Sequence, residues 1–209
     1  MPSLIAGIEH ARVIAIVRLT HYSRALEIVQ ALVAGGISVI EFTLTGQGAF
    51  GAIAQARAAY GETAFIGAGT VLTTEDVAAA AAASAQFVVT PLLSRSVIDA
   101  CRSHALPVIC GALTPTEMMQ AYEAGADFIK LFPARQMGPQ YVRDVLAPLP
   151  HLRLIPTGGV NAQNAAAYLQ AGAIAVGIGG NLVSEQAVAV GDWEQITTLA
   201  RECRDATRF

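Results

Sequence analysis

The sequence predicts a (β/α)8 (TIM) barrel, a single small domain over residues 1–209. Three observations point there. Short runs rich in Val and Ile alternate eight times with helical stretches, no linker or low-complexity segment divides the chain, and a weak repeat recurs where helices hand over to strands. An open doubly wound sheet is the competing arrangement. The count of eight and the lack of a second domain favour the closed barrel. The choice matters, because barrel active sites gather at the C-terminal ends of the strands.

In chain order the strand candidates are "VIAIVR" (13–18), "VIEFTL" (39–44), "AFIGAGTV" (64–71) and "FVVTP" (87–91). Then come "VICGAL" (108–113), "FIKLFP" (128–133), "LRLIPTGG" (152–159) and "AVGIGG" (175–180). All are short, apolar and bounded by Gly or Pro, as parallel strands buried on both faces should be. Segments 23–36, 75–84 and 116–126 have apolar residues at helical spacing, and two of them reach glycine at or near their ends. Thr114 with Pro115 and Glu117 forms a capping-box pattern. Asn161 is placed to cap the helix that follows "TGGV". The repeat consists of "VAGGISVIEFTL", "EAGADFIKLFP" and "QAGAIAVGIGG".

Composition narrows the function. Hydrophobic residues make up 54% and charged residues 14%, an ordered globular balance. No stretch approaches the roughly 18 apolar residues of a membrane span, so no membrane partner is expected. Glu9, His10 and Arg12 stand where a signal peptide needs its apolar run, and a cytoplasmic location is the default. A net charge of −3 without basic clusters argues against nucleic acid as a partner. Cys101, Cys110 and Cys203 have no metal-like spacing and read as reduced structural thiols. The histidines are scattered, and none is assigned to chemistry.

Three charged side chains stand in or at the end of strands: Arg18, Glu41 and Lys130. Lys130 is the only lysine in the chain. A buried charge needs a partner, a shifted pKa or a chemical role. A structural ion cluster is the plainer account of any one of them; all three at one barrel mouth point to a site. Strand alternation places Phe128, Lys130 and Phe132 on one face and Ile129 and Leu131 on the other. Facing inward, the amine would be desolvated, its pKa would fall, and a neutral amine can form a Schiff base with a ketone. "PTGGVN" and "GIGGN" close strands seven and eight, where barrels often bind phosphate through backbone N–H groups.

Together "ALVAGGISVIEFTL", "IGAGTVL", "VVTP", "TPTE", "FIKLFPA", "PTGGV" and "GIGGNLV" resemble the 2-keto-3-deoxy-6-phosphogluconate (KDPG) and 2-keto-3-deoxy-6-phosphogalactonate (KDPGal) aldolase family, in order from about Val13 onward. The resemblance implies a class I aldolase on a small barrel, a homotrimer that uses no metal and no cofactor. Its partner would be a phosphorylated keto acid, cleaved to pyruvate and glyceraldehyde 3-phosphate. Lys130 would form the imine at the C2 ketone, and Glu41 would be the general acid and base, acting through water. Thr70 and Arg18 would bind the carboxylate, and Pro91 and Phe132 would shape the pocket. Thr157 and Asn181 would join Gly158, Gly159 and Gly180, the glycines forming a phosphate cradle.

Three positions depart from the family pattern. Thr45 stands where the gluconate branch has arginine, Asn181 replaces a serine, and Cys110 replaces a proline. "GPQY" (138–141) resembles the galactonate branch, so the C4 epimer stays open. Two other readings compete: a sugar-phosphate isomerase or decarboxylase that needs no imine, and a barrel that binds a phosphorylated metabolite without catalysis.

Overall fold

The computed structural model describes residues 3–208. Its strands are β1 (Val13–Val17), β2 (Val39–Thr43), β3 (Phe65–Gly69), β4 (Val88–Val89), β5 (Val108–Ala112), β6 (Phe128–Leu131), β7 (Leu154–Pro156) and β8 (Val176–Ile178). The helices are α1 (Leu4–Ala11), α2 (Ala25–Ala34), α3 (Ala49–Tyr60), α4 (Thr74–Ala82) and α5 (Arg95–Ser103). They continue with α6 (Pro115–Glu123), α7 (Gly138–Leu146), α8 (Ala165–Gln170), α9 (Glu185–Val190) and α10 (Trp193–Ala206).

Neighbouring strands pair in parallel in the order β7-β6-β5-β4-β3-β2-β1-β8. The ring closes between β7 and β8, where Thr157 pairs with Gly177 and the Ile174 N–H donates to the Leu154 carbonyl at 3.0 Å. The fold is a (β/α)8 barrel. Two apolar cores follow from strand alternation. One fills the barrel, with Ile14, Val39, Phe87, Ile109, Phe128 and Ile155. The other lies between strands and helices and includes Ile40, Phe42, Ile66, Ile129 and Leu131.

The repeat read from the sequence is a shared way of ending a helix. After α2, α6 and α8 come Gly36, Gly125 and Gly172, with φ of +89°, +98° and +108°. In each case the next N–H reaches back over the last turn: Ile37 to Leu32, Ala126 to Ala121, and Ala173 to Tyr168, at 3.0–3.2 Å. This Schellman geometry turns the chain sharply into the following strand, and glycine adopts the left-handed turn without a Cβ clash.

Some boundaries differ from the expectation. The capping box at Thr114 and Glu117 forms with Pro115 in the first turn, but α8 starts at Ala165 with Asn164 as its cap. The Asn161 side chain instead accepts from the Gln163 and Asn164 N–H groups, one turn earlier. Its local bonds hold the loop and not the helix end. The N-terminal segment, read for its lack of a signal peptide, forms α1, capped by Ser3. Leu4 and Ile8 of α1 join the barrel-filling core beside Phe65 and Phe128. This helix plugs the end of the barrel opposite the strand C-termini.

Candidate active site

Lys130 is the third residue of β6, so alternation sends it inward above Phe128 while Ile129 and Leu131 face the helices. Glu41 is the third residue of β2 and also faces inward. The two side chains are almost sealed: Glu41 is 2% exposed and Lys130 3%. Lys130 Nζ lies 4.0 Å from Glu41 Oε1 and 5.2 Å from the Phe132 ring centre. The carboxylate fits because β3 has glycine at its end. A Cβ on Gly69 would stand 2.7 Å from Glu41 Oε1. Among the described residues, that oxygen has no hydrogen-bond partner.

Burial is the largest influence on both members of this pair. It pushes the Glu41 carboxyl above its ordinary range, against the pull of Lys130 and Arg18. It pushes the Lys130 amine below its ordinary range, helped by Arg18 and opposed by Glu41. At 4 Å and an effective dielectric near 20, two unit charges attract by about 4 kcal/mol. Removing each from water costs several kcal/mol. The two effects oppose each other, and 4.0 Å is too long for a direct hydrogen bond. A lowered pKa makes the amine more available as a nucleophile, and a raised one makes the carboxylate a better proton acceptor.

Above the pair, a cavity of about 340 Å³ opens over the ends of β6, β7, β8 and β1. Arg18, Phe132, Thr157, Gly158, Gly159, Gly180 and Asn181 line it, together with Arg135. Thr157 also faces the space around Lys130 and Glu41, so it joins the two compartments. Gly158 and Gly159 have φ of +92° and +85°. Among the turn and loop hydrogen bonds of the described residues, none uses the N–H of Gly158, Gly159, Gly180 or Asn181. The two glycine turns thus present donors without acceptors, an arrangement suited to an anion.

Thr70 and Pro91 stand on the other side of the mouth and do not line that cavity. Pro91 packs its backbone against Gly111, the β5 partner of Lys130. Thr70, at the end of β3, holds a left-handed φ of 59°, costly for a β-branched residue. Thr70→Gly is therefore expected to be more stable than Thr70→Ala by about 1 kcal/mol, measured as a difference in urea unfolding. The reverse order would mean that the turn relaxes when the side chain is lost.

Arg18 is exposed just beyond β1, while its charge still acts on Lys130 and Glu41. The Asn181 amide donates to the Val160 carbonyl at 3.4 Å, tying the two glycine turns together. Thr45 turns its hydroxyl to Thr43 (2.9 Å), which in turn meets the Tyr22 hydroxyl (3.1 Å). All three cysteines are buried free thiols, and Cys110 packs in the outer core. Arg135 is the one charged residue of the lining that is absent from the candidates named from the sequence. Its signal was a second arginine directly after "FPA".

Comparison with known proteins agrees with this geometry. The model of the family described as "KDPG and KHG aldolase" matches residues 4–199. A 2-dehydro-3-deoxy-phosphogluconate aldolase from Treponema pallidum is 36% identical over 203 residues, covering 97% of this chain and 96% of that protein. A 2-dehydro-3-deoxy-6-phosphogalactonate aldolase from Escherichia coli is 34% identical over 196 residues, covering 93% and 96%. The solved structure of a KDPG aldolase from Legionella pneumophila, with pyruvate captured as a covalent carbinolamine, superposes with a TM-score of 0.87. It is 30% identical and covers 96% of this chain and 97% of its own. With a barrel of the same shape and a family match over nearly its whole length, the chain belongs to the KDPG and KHG aldolase family, a family of aldehyde-lyases.

Proposed function

We propose that this protein is a class I aldolase that cleaves a 2-keto-3-deoxy-6-phospho sugar acid to pyruvate and glyceraldehyde 3-phosphate. The observation that carries the reading is the sole lysine of the chain, sealed inside the barrel 4.0 Å from an unpartnered glutamate oxygen. The neutral Lys130 amine attacks the C2 ketone, and the carbinolamine loses water to give a protonated imine. Glu41, through a bridging water, takes the C4 hydroxyl proton. The C3–C4 bond breaks, its electron pair moves toward the imine nitrogen, and C4 leaves as the aldehyde carbon. Protonation of the enamine at C3 and hydrolysis of the imine release pyruvate. Thr70 and Arg18 hold the carboxylate, Pro91 and Phe132 wall the pocket, and the glycine turns with Thr157 and Asn181 take the far end.

Borohydride reduction in the presence of pyruvate is the direct test. The expected result is one reduced pyruvate adduct, mapped by peptide mass to Lys130; only the N-terminal amine competes. No adduct at saturating pyruvate would sink the aldolase reading. The KDPG and KDPGal acids differ at C4, and the ratio of kcat/KM on the two epimers assigns the branch. The family resemblance also supports a homotrimer, which sedimentation can check. Among the described residues, no helix is long and apolar enough to cross a membrane.

A further inference from the structure

We propose that Arg135 is a phosphate-binding residue that sets the preference for phosphorylated over unphosphorylated substrates, working with the glycine turns of the same cavity while Arg18, at the opposite edge, is left to the carboxylate. The proposal rests on the aldolase reading for the identity of the substrate, but not for the presence of an anion site.

Arg135 follows β6 on a short 3-10 turn, Ala134–Gln136. That turn is fastened to both neighbours: the Ala134 N–H donates to the Thr157 carbonyl at 2.8 Å, and the Tyr168 hydroxyl donates to the Ala134 carbonyl at 3.1 Å. The arginine stem lies flat on the second glycine of "TGG". A Cβ on Gly159 would sit 2.7 Å from Arg135 Nε and 2.8 Å from its Cβ. Glycine at 159 therefore serves two purposes, a left-handed φ and the close passage of the arginine.

None of the ion pairs among the described residues uses Arg135 or Arg18. Both guanidinium groups line the same cavity as the glycine turns whose N–H groups lack backbone acceptors. The strand order β6-β7-β8-β1 puts Arg135 at one edge and Arg18 at the other. A phosphate dianion matches this arrangement in charge and shape. The Arg135 fork stands on one side of it, and the glycine turns offer their backbone donors to its oxygens. An aldehyde that ends in a hydroxyl has no charge for Arg135 to meet.

The test compares the parent with Arg135→Gln and Arg135→Lys in the aldol direction, using pyruvate with D-glyceraldehyde 3-phosphate or with D-glyceraldehyde. In Arg135→Gln, the ratio of kcat/KM for the phosphorylated over the free aldehyde is expected to fall by about 10- to 100-fold, the size of a lost charged hydrogen bond. The loss should fall mainly in KM, and Arg135→Lys should recover part of it by restoring charge without the fork. Inorganic phosphate should inhibit the parent and do so more weakly in Arg135→Gln. A pyruvate adduct at Lys130 reports an intact barrel in each variant. An unchanged ratio, or equal losses on both aldehydes, would overturn the proposal. If the parent forms no pyruvate adduct, the aldolase reading falls separately. A thermal shift with inorganic phosphate, present in the parent and lost in Arg135→Gln, then still decides whether Arg135 binds the anion.

Discussion

Lys130→Met is expected to abolish pyruvate trapping and to lower cleavage by about four orders of magnitude or more, the scale on which losing a covalent nucleophile acts, while the barrel still folds. The amine sits among interior apolar residues, with Phe128 below it and the Phe132 ring at 5.2 Å. A methionine of similar length suits that environment better than a desolvated ammonium. What the substitution disturbs is Glu41. Lys130 is the stronger of the two positive charges that hold the carboxyl down, and without it burial is opposed by Arg18 alone. The folded-state pKa of Glu41 therefore rises further above the unfolded value of about 4.3.

The native state then binds a proton over a wider pH range than the unfolded chain. Stability is fullest below the unfolded pKa and falls as pH rises toward the folded one. The parent has an opposing contribution. Its lowered Lys130 pKa adds stability as pH rises from the folded value toward about 10.4. Both effects have the same consequence for the variant. Its melting temperature should drop more than that of the parent as the pH is raised above about 4.3. A smaller drop would show that Glu41 does not feel the lysine, and parental turnover in Lys130→Met would rule out the imine.

The barrel was legible because its signals are local. Buried parallel strands are nearly continuous apolar runs, and the helix ends carry their glycine in the chain itself, as at Gly36, Gly125 and Gly172. Lys130 and Glu41 stood out for the same reason: each is a charge in a run that should have none. What escaped depends on partners distant in sequence. Helix α1 buries only Leu4 and Ile8 in the barrel core, with Ile5 and Ala11 packed at its edge, and its role exists only once an open barrel end needs covering. The fourth strand was read as 87–91, yet β4 is only Val88–Val89. There the Thr90 hydroxyl accepts from the Gly111 N–H (3.0 Å) and donates to the Leu92 carbonyl (2.7 Å), bending the chain out of the ladder. Arg135 drew no reading because its place depends on Gly159, 24 residues on, brought against it by the pairing of β6 with β7.

Glu41→Gln separates the chemical role of the carboxylate from its electrostatic one. As the proposed acid and base, Glu41 should be worth about 10²- to 10⁴-fold in kcat, and glutamine occupies the same space beside Gly69. Its charge has a second effect. Burial and Arg18 lower the Lys130 pKa, and Glu41 is the one group that raises it. Removing the carboxylate leaves the lowering influences unopposed, so the amine should lose its proton at lower pH than in the parent. The pH midpoint of borohydride trapping is then expected to move down, even though every rate on the curve is smaller. The linked stability change has a definite sign. With the folded Lys130 pKa further below the unfolded value, the unfolded chain binds the extra proton over a wider range, and Glu41→Gln should gain more stability on raising the pH toward 10. A slower enzyme with the midpoint unmoved would leave Glu41 as a proton carrier whose charge does not reach the lysine. A midpoint moved upward would place the controlling charge elsewhere, with Arg18, exposed at the mouth, the next group to remove.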